Sequence, residues 1–215
     1  MRKLLLIVFS AIATQSFAQK DTLCNCLEDS TIIGFATYDL YQRLPEGSLG
    51  NFVADAIKTA VQLKWGNKID IALISPQSIK GKIEKGTFRK NKITQLLPYP
   101  DSIAILKLDS AQLKTVLDKI ASLGGYAVSG LQMQINNMRA DSINVNRIPL
   151  HSAESYIVAV PYFLTLKNRI SLPSDVDIFN ANISLQKAVC EYIRWLTNTG
   201  KTISPIPYRR IKYAN

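Results

Sequence analysis

Histidine is almost missing from this chain: His151 is the one imidazole among 215 residues. A two-metal hydrolase assembled from His, Asp and Asn ligands needs several imidazoles, and a zinc site needs Cys and His at ligand spacing. The expectation is therefore a chain with no such metal centre and no cofactor of its own. Cysteine is scarce as well, with Cys24 and Cys26 on either side of Asn25 and Cys190 far away. Three thiols cannot all pair within one chain. Neighbours two apart make a strained bridge, so a bond from either one to Cys190 is geometrically easier. None has the His partner of a cysteine nucleophile, which leaves structural or free thiols. A P-loop, a dinucleotide fingerprint and a G-x-S-x-G nucleophile elbow are all lacking, and Gly124-Gly125 reads as a helix stop. No apolar run reaches the roughly 20 residues of a membrane span.

The N-terminus carries a different pattern. Arg2 and Lys3 precede an apolar run from Leu4 to Ala13, and Ser16-Phe17-Ala18 supplies a small-x-small site. This is the layout of a signal peptide over residues 1–18, and it implies export to the periplasm or the exterior. Residues 19–30 form an N-terminal segment holding Cys24 and Cys26, and 31–215 the folded domain. The net charge of +10 is spread along the chain, densest from Lys80 to Lys92. Such a surface attracts anions in general. Without a run of interleaved aromatics to stack bases, a solvated basic loop is preferred there over nucleic-acid binding.

Periodicity supplies the elements. Leu49, Phe52, Val53, Ala56, Ile57, Ala60 and Val61 form a helical stripe that Ser48 can cap and Gly66-Asn67 closes. Ile69 to Ile74 reads as a buried strand, followed by a Ser75-Pro76-Gln77-Ser78 loop. Ile103 to Leu108 is a second strand, leading to a helix capped by Asp109 or Ser110. Leu131, Met133 and Ile135 alternate with polar residues in a half-wet strand. Tyr156 to Val160 is another strand, and Leu185 to Leu196 a last helix. Alternating strands and helices with some short connections predict an α/β layered domain, a mixed β-sheet with flanking helices. His151, in the turn Pro149-Leu150-His151-Ser152, reads as a surface residue rather than half of a Ser/His pair.

Glu46-Gly47-Ser48-Leu49-Gly50-Asn51-Phe52-Val53-Ala54-Asp55-Ala56 resembles the ES-x-LGN-x-x-ADA stretch of the C-terminal domain of bacterial 5′-nucleotidases and UDP-sugar hydrolases. In order along the chain, Asp70–Ile74, Leu96-Leu97-Pro98-Tyr99, Leu108–Lys114, Val128–Leu131, Tyr156–Val160 and the helix with Tyr192-Ile193 are similar to further family elements. The resemblance runs from about residue 31 to 212. It implies the fold of that C-terminal domain and a division of labour. In the family an N-terminal metallophosphoesterase domain holds two metals and the attacking water, and the C-terminal domain grips the nucleotide.

The resemblance also implies site residues. Arg43 matches an arginine that contacts the substrate phosphate, a role suited to a planar fork of donors. Ser75 stands where the family has the Asn of an N-x-G-G-I-R turn, and Lys80 where it has the Arg. Gln77 and Ser78 replace the glycines that let backbone approach a ligand. Tyr99 holds the place of an aromatic that stacks on the base. Phe179 is the nearest candidate for a second ring, because the glycine-rich loop before it is missing between Thr165 and Ile178. Two readings lead, with a basic polyanion or surface binder of little ligand selectivity ranked behind them. One is an exported substrate-recognition half of a split 5′-nucleotidase-type hydrolase, binding a nucleotide or related phosphorylated ligand for a separately encoded metallophosphoesterase that supplies the divalent metals. The other is a non-catalytic envelope module that kept the scaffold and lost nucleotide binding.

Overall fold

Strands buried on both faces read as continuous apolar runs, and the central sheet is made of them. A computed structural model describes residues 30–151, 155–166, 169–205 and 209–214. The segment read as a signal peptide, with Cys24 and Cys26, lies outside the described residues. The chain runs β1 (Ile32–Ala36), α1 (Ser48–Trp65), β2 (Ile71–Ile74), β3 (Gly86–Arg89), α2 (Lys92–Leu96), β4 (Ser102–Asp109) and α3 (Ser110–Ser122). It continues β5 (Ala127–Ser129), β6 (Leu131–Asn136), β7 (Arg139–Val145), β8 (Ile148–Pro149), β9 (Ser155–Pro161), β10 (Ile178–Ser184), α4 (Leu185–Asn198) and β11 (Ile211–Tyr213).

Five strands in the order β10-β4-β9-β2-β5 form the middle layer. β2 and β9 are parallel, and the other pairings in that sheet are antiparallel. Side-chain alternation divides the core in two. Ala72 and Ile74 of β2 and Ile103 and Ile105 of β4 face one side, where α1 and α4 pack. Ile71, Leu73, Ala104, Leu106 and Leu108 face the other, covered by α3 and a second sheet, β11-β6-β7-β8. β1 and β3 pair as a small ribbon beside α4. This is the expected layered mixed α/β arrangement.

Local chemistry explains the helix ends. Asp109 accepts from the Gln112 backbone N–H at 2.8 Å while Gln112 Oε1 accepts from the Asp109 N–H at 3.0 Å, a reciprocal cap on α3. Gly66 ends α1 in the left-handed conformation, φ 72°, as its position predicts. Ser48 differs from expectation: Gly47 is the cap residue and Ser48 the first residue of the helix. The Ser48 hydroxyl instead accepts from the Tyr41 N–H at 3.0 Å, pinning the incoming loop.

That loop belongs to a polar network that reaches across the fold to Arg210. Arg210 is 8% exposed and forks onto Asp55 with N–O distances of 2.9 and 2.8 Å. Ser129 donates to Asp55 at 2.7 Å, and Arg210 also donates to the Val128 carbonyl at 2.5 Å. Glu46 accepts from the Arg210 N–H at 2.7 Å and from Asn51 Nδ2 at 3.0 Å. Glu46, Asn51 and Asp55, all from the motif that opens α1, thus hold the segment leading into β11.

Candidate functional site

Parallel β2 and β9 end at the same edge of the central sheet, and crevices at the carboxyl ends of parallel strands are where α/β sheets collect ligands. After β2, Ser75 caps a single 3-10 turn, Pro76–Ser78. Its hydroxyl donates to Gln77 Oε1 and accepts from the Gln77 N–H at 3.3 Å, folding the Gln77 side chain back on the turn. Gln42 Nε2 braces the turn from outside, 3.1 Å from the Pro76 carbonyl. Lys80 follows, its N–H donating to the Leu96 carbonyl at 2.8 Å and its side chain exposed.

The second wall precedes β4. Leu97 is buried, while Tyr99, flanked by two prolines, stands 58% exposed. Asp101 Oδ2 accepts from the Phe163 N–H at 3.2 Å, and the Asp101 carbonyl accepts from the Leu185 N–H at 3.0 Å. The first bond ties this wall to the turn after β9, the second to the start of α4. Gln186 Nε2 adds a bond to the Leu97 carbonyl at 2.8 Å. The third wall is the 3-10 turn Tyr162–Thr165, whose Phe163 ring lies 5.4 Å from the Arg169 guanidinium carbon. A cation at that distance over a ring is attracted by the ring's negative face.

Between these walls lies a cavity of about 440 Å³, lined among others by Gln77, Lys80, Tyr99, Asp101, Phe163 and Arg169. Burial pushes the Asp101 carboxyl above its ordinary value, partly offset by backbone N–H donors from Phe163 and Ser102. Two cations, an open tyrosine face and one carboxylate are suited to an anionic group attached to a flat moiety.

The five residues anticipated from sequence are placed differently. Lys80 and Tyr99 line the cavity together. Ser75 is wholly buried beneath it, its hydroxyl committed to the turn. Arg43 is exposed and lines a separate groove with Glu46, Arg209, Lys212 and Tyr213. Phe179 sits on edge strand β10 opposite Ile105, 48% exposed, and is not among the cavity's lining residues. Asp101, Phe163 and Arg169 had not been anticipated. The available signal was position: Asp101 immediately precedes a strand and Phe163 closely follows one.

His151 is exposed and participates through its backbone, its N–H donating to the Tyr156 hydroxyl at 3.2 Å and its carbonyl accepting from Ser110. Among the described residues no group of three or more His, Cys, Asp and Glu side chains is placed to hold a metal ion. Among the same residues no helix is long and apolar enough to cross a membrane.

Several solved structures share the fold. The 5′-nucleotidase precursor of Thermus thermophilus superposes with a TM-score of 0.76 at 21% identity, covering 86% of this chain and 40% of that one. The NAD nucleotidase of Haemophilus influenzae gives 0.70 at 12% identity, covering 87% and 39%. The sulfate thiohydrolase SoxB of Thermus thermophilus, solved with glycerol, gives 0.64 at 17% identity, covering 87% and 36%. This chain therefore spans about two fifths of the length of the first of these proteins. Comparison with curated protein sequences finds no match. The 5′-nucleotidase, C-terminal domain family matches residues 32–169, well over half of the chain, in line with the order of motifs and the layered fold. The chain belongs to the 5′-nucleotidase C-terminal domain family.

Proposed function

We propose that this chain is the substrate-recognition half of an exported, split 5′-nucleotidase-type hydrolase. It binds a nucleotide or related phosphorylated ligand in the Lys80–Tyr99 cavity and offers it to a metallophosphatase on a separate chain. The observation that carries this reading is the convergence of Lys80, Arg169 and the exposed Tyr99 ring in one cavity at the carboxyl ends of β2 and β9. Lys80 and Arg169 neutralise phosphate charge, Tyr99 offers its face to the base, and Asp101 accepts from a donor on the ligand. Ser75 shapes the turn from beneath. Water activation and leaving-group stabilisation would fall to the divalent metals of the partner, for which the described residues offer no fitting ligand set. The signal-peptide pattern of residues 1–18 supports export.

The alternative, a scaffold that has lost nucleotide binding, draws on two observations. Gln77 and Ser78 stand where the family has glycines, with Gln77 hydrogen-bonded back to Ser75, and Arg43 lines a different groove. Calorimetric titration with AMP, UMP and a UDP-sugar separates the two. Saturable binding that weakens roughly tenfold or more in Lys80→Ala and in Tyr99→Ala supports the recognition role. No heat with any of the three leaves the scaffold reading. The purified chain with Mn²⁺ is expected to release no phosphate from a nucleotide. Turnover free of contaminating phosphatase would refute the division of labour.

A further inference from the structure

Helices α1 and α4 pack against each other, and beside the last turns of α4 they leave a cavity of about 450 Å³. Its lining includes Phe52 and Asp55 from α1, Tyr192 and Trp195 from α4, and Lys201 from the segment after α4. None of its lining residues belongs to the Lys80–Tyr99 cavity or to the groove of Arg43. Tyr192 and Trp195 stand three positions apart and so share one side of the helix. Their rings stack 5.7 Å apart and 14° from parallel, and Phe52 meets Tyr192 at 5.4 Å with a 49° tilt. The result is a continuous aromatic wall, the lining that small-molecule sites favour.

Polar groups interrupt that wall in two places. Tyr192 is only 8% exposed, and among the described residues its hydroxyl has no hydrogen-bond partner. An unpaired hydroxyl at such depth is costly, and a ligand atom would relieve it. Burial, and next the charge of Asp55, push this phenol up to about 12, so it keeps its proton and can donate. Asp55 is the acid in the lining, and its charge is matched by the Arg210 fork, with Ser129 adding a third bond. The carboxylate still disfavours an anion beside Tyr192, and it suits an uncharged hydroxyl there. The second place is Lys201, whose Nζ lies 4.9 Å from the centroid of the Trp195 ring. Among the described residues no carboxylate forms a salt bridge with it. Its backbone is fixed by an N–H bond to the Leu196 carbonyl at 2.8 Å. Nearby in the lining, Ser204 Oγ lies 2.7 Å from Thr37 Oγ1 and 3.0 Å from Thr202 Oγ1, a chain of hydroxyls able to turn a proton toward an anion.

We propose that this cavity is a second binding site, for a small aromatic carboxylate that carries a hydroxyl on its ring. The ring packs on Phe52 and Trp195, where aromatic contacts add to apolar burial. The carboxylate pairs with Lys201, a charge-assisted bond away from Asp55. The ring hydroxyl accepts from Tyr192 and donates toward Asp55. An organic cation is refused by Lys201, which already occupies the negative face of Trp195.

The experiment uses the whole chain with Lys80→Ala and Tyr99→Ala in place, so that the first cavity is disabled. The probe, para-hydroxyphenylacetate, is titrated calorimetrically beside phenylacetate, which lacks the hydroxyl, and tyramine, which replaces the carboxylate by an ammonium. Saturable binding of the probe below about 1 mM is expected, with phenylacetate roughly threefold or more weaker and tyramine weaker still. Lys201→Ala is expected to weaken the probe roughly tenfold or more. Tyr192→Phe is expected to bind the probe and phenylacetate alike while its melting temperature is unchanged or higher. That pairing separates a ligand contact from a role in folding. Arg139→Ala, which removes an exposed cation from β7, is expected to leave binding unchanged, and circular dichroism checks that each variant is folded. No saturation by the probe, equal affinity for tyramine, full discrimination retained in Tyr192→Phe, or equal weakening by Arg139→Ala would overturn the proposal. Because the Lys80–Tyr99 cavity is removed beforehand, such a failure is separate from any failure of the nucleotide reading.

Discussion

Asp55 and Arg210 are 155 positions apart, and each has a side chain that is mostly buried. A buried pair of this kind is stable only while both members and their hydrogen bonds are present, and removing one strands the other in a low-dielectric setting. Asp55→Ala is therefore expected to cost about 3–5 kcal/mol in urea unfolding, with Arg210→Met costing less than the sum of the two effects would suggest when combined with it. Asp101 behaves differently. Burial raises its native pKa above the ordinary 3.8, so the folded chain holds this proton to higher pH than the unfolded chain does. Its contribution to stability is present in acid and is lost as pH rises from 3.8 through the raised native value. Asp101→Asn keeps an acceptor for the Phe163 N–H but cannot ionise. The loss of melting temperature between about pH 4 and about pH 7 is expected to be smaller in this variant than in the parent chain.

Among the elements, α3 joins the two layers, because it begins where β4 ends and packs on β4, β9 and β7. Its reciprocal cap satisfies two N–H groups that would otherwise lack partners at the first turn. Asp109→Ala removes one acceptor, and a cost of about 1 kcal/mol is expected from thermal or urea unfolding. Gly130, between β5 and β6, is the sharper constraint. Its φ is +75°, and an added Cβ would lie 2.0 Å from the Asp70 carbonyl oxygen and 2.5 Å from Lys58 Nζ. The chain must cross there from the central sheet to the second one, and glycine alone allows both the conformation and the approach. Gly130→Ala is expected to destabilise far more than the Asp109 variant, read in the same unfolding assay.

At the scale of the molecule, one sheet serves two cores, so neither can melt without exposing the other's floor. Ile105→Ala opens a cavity on the α1–α4 side and Leu106→Ala one on the α3 side, although the two residues are adjacent. Each is expected to cost about 2–5 kcal/mol. Both are expected to lower a single shared transition followed by far-ultraviolet and near-ultraviolet circular dichroism together. Two separated transitions would mean that the layers fold independently. The cavity and the groove lie where this architecture exposes its connections: one at the ends of β2 and β9, the other where β11 meets the loop before α1.

The helices α1, α3 and α4 and the strands β2, β4, β6 and β9 were legible in the order of residues, because a stripe, an alternation or a cap is written within a few neighbouring positions. The short pairs β1–β3 and β7–β8 and the terminal β11 were not, since a strand of two to seven residues with mixed burial is defined by its partner rather than by its own pattern. The site divided in the same way. Lys80 and Tyr99 could be singled out from the motifs around them. That Asp101, Phe163 and Arg169 join them, and that Arg43 instead faces Arg209 and Lys212, depends on contacts between distant segments. Local order in the chain thus determined the family, the strongly patterned helices and strands, and the scarcity of metal ligands. Only the packed structure decided which charges share a concavity, because the fold sets the distance over which electrostatic attraction acts, whatever the separation along the backbone.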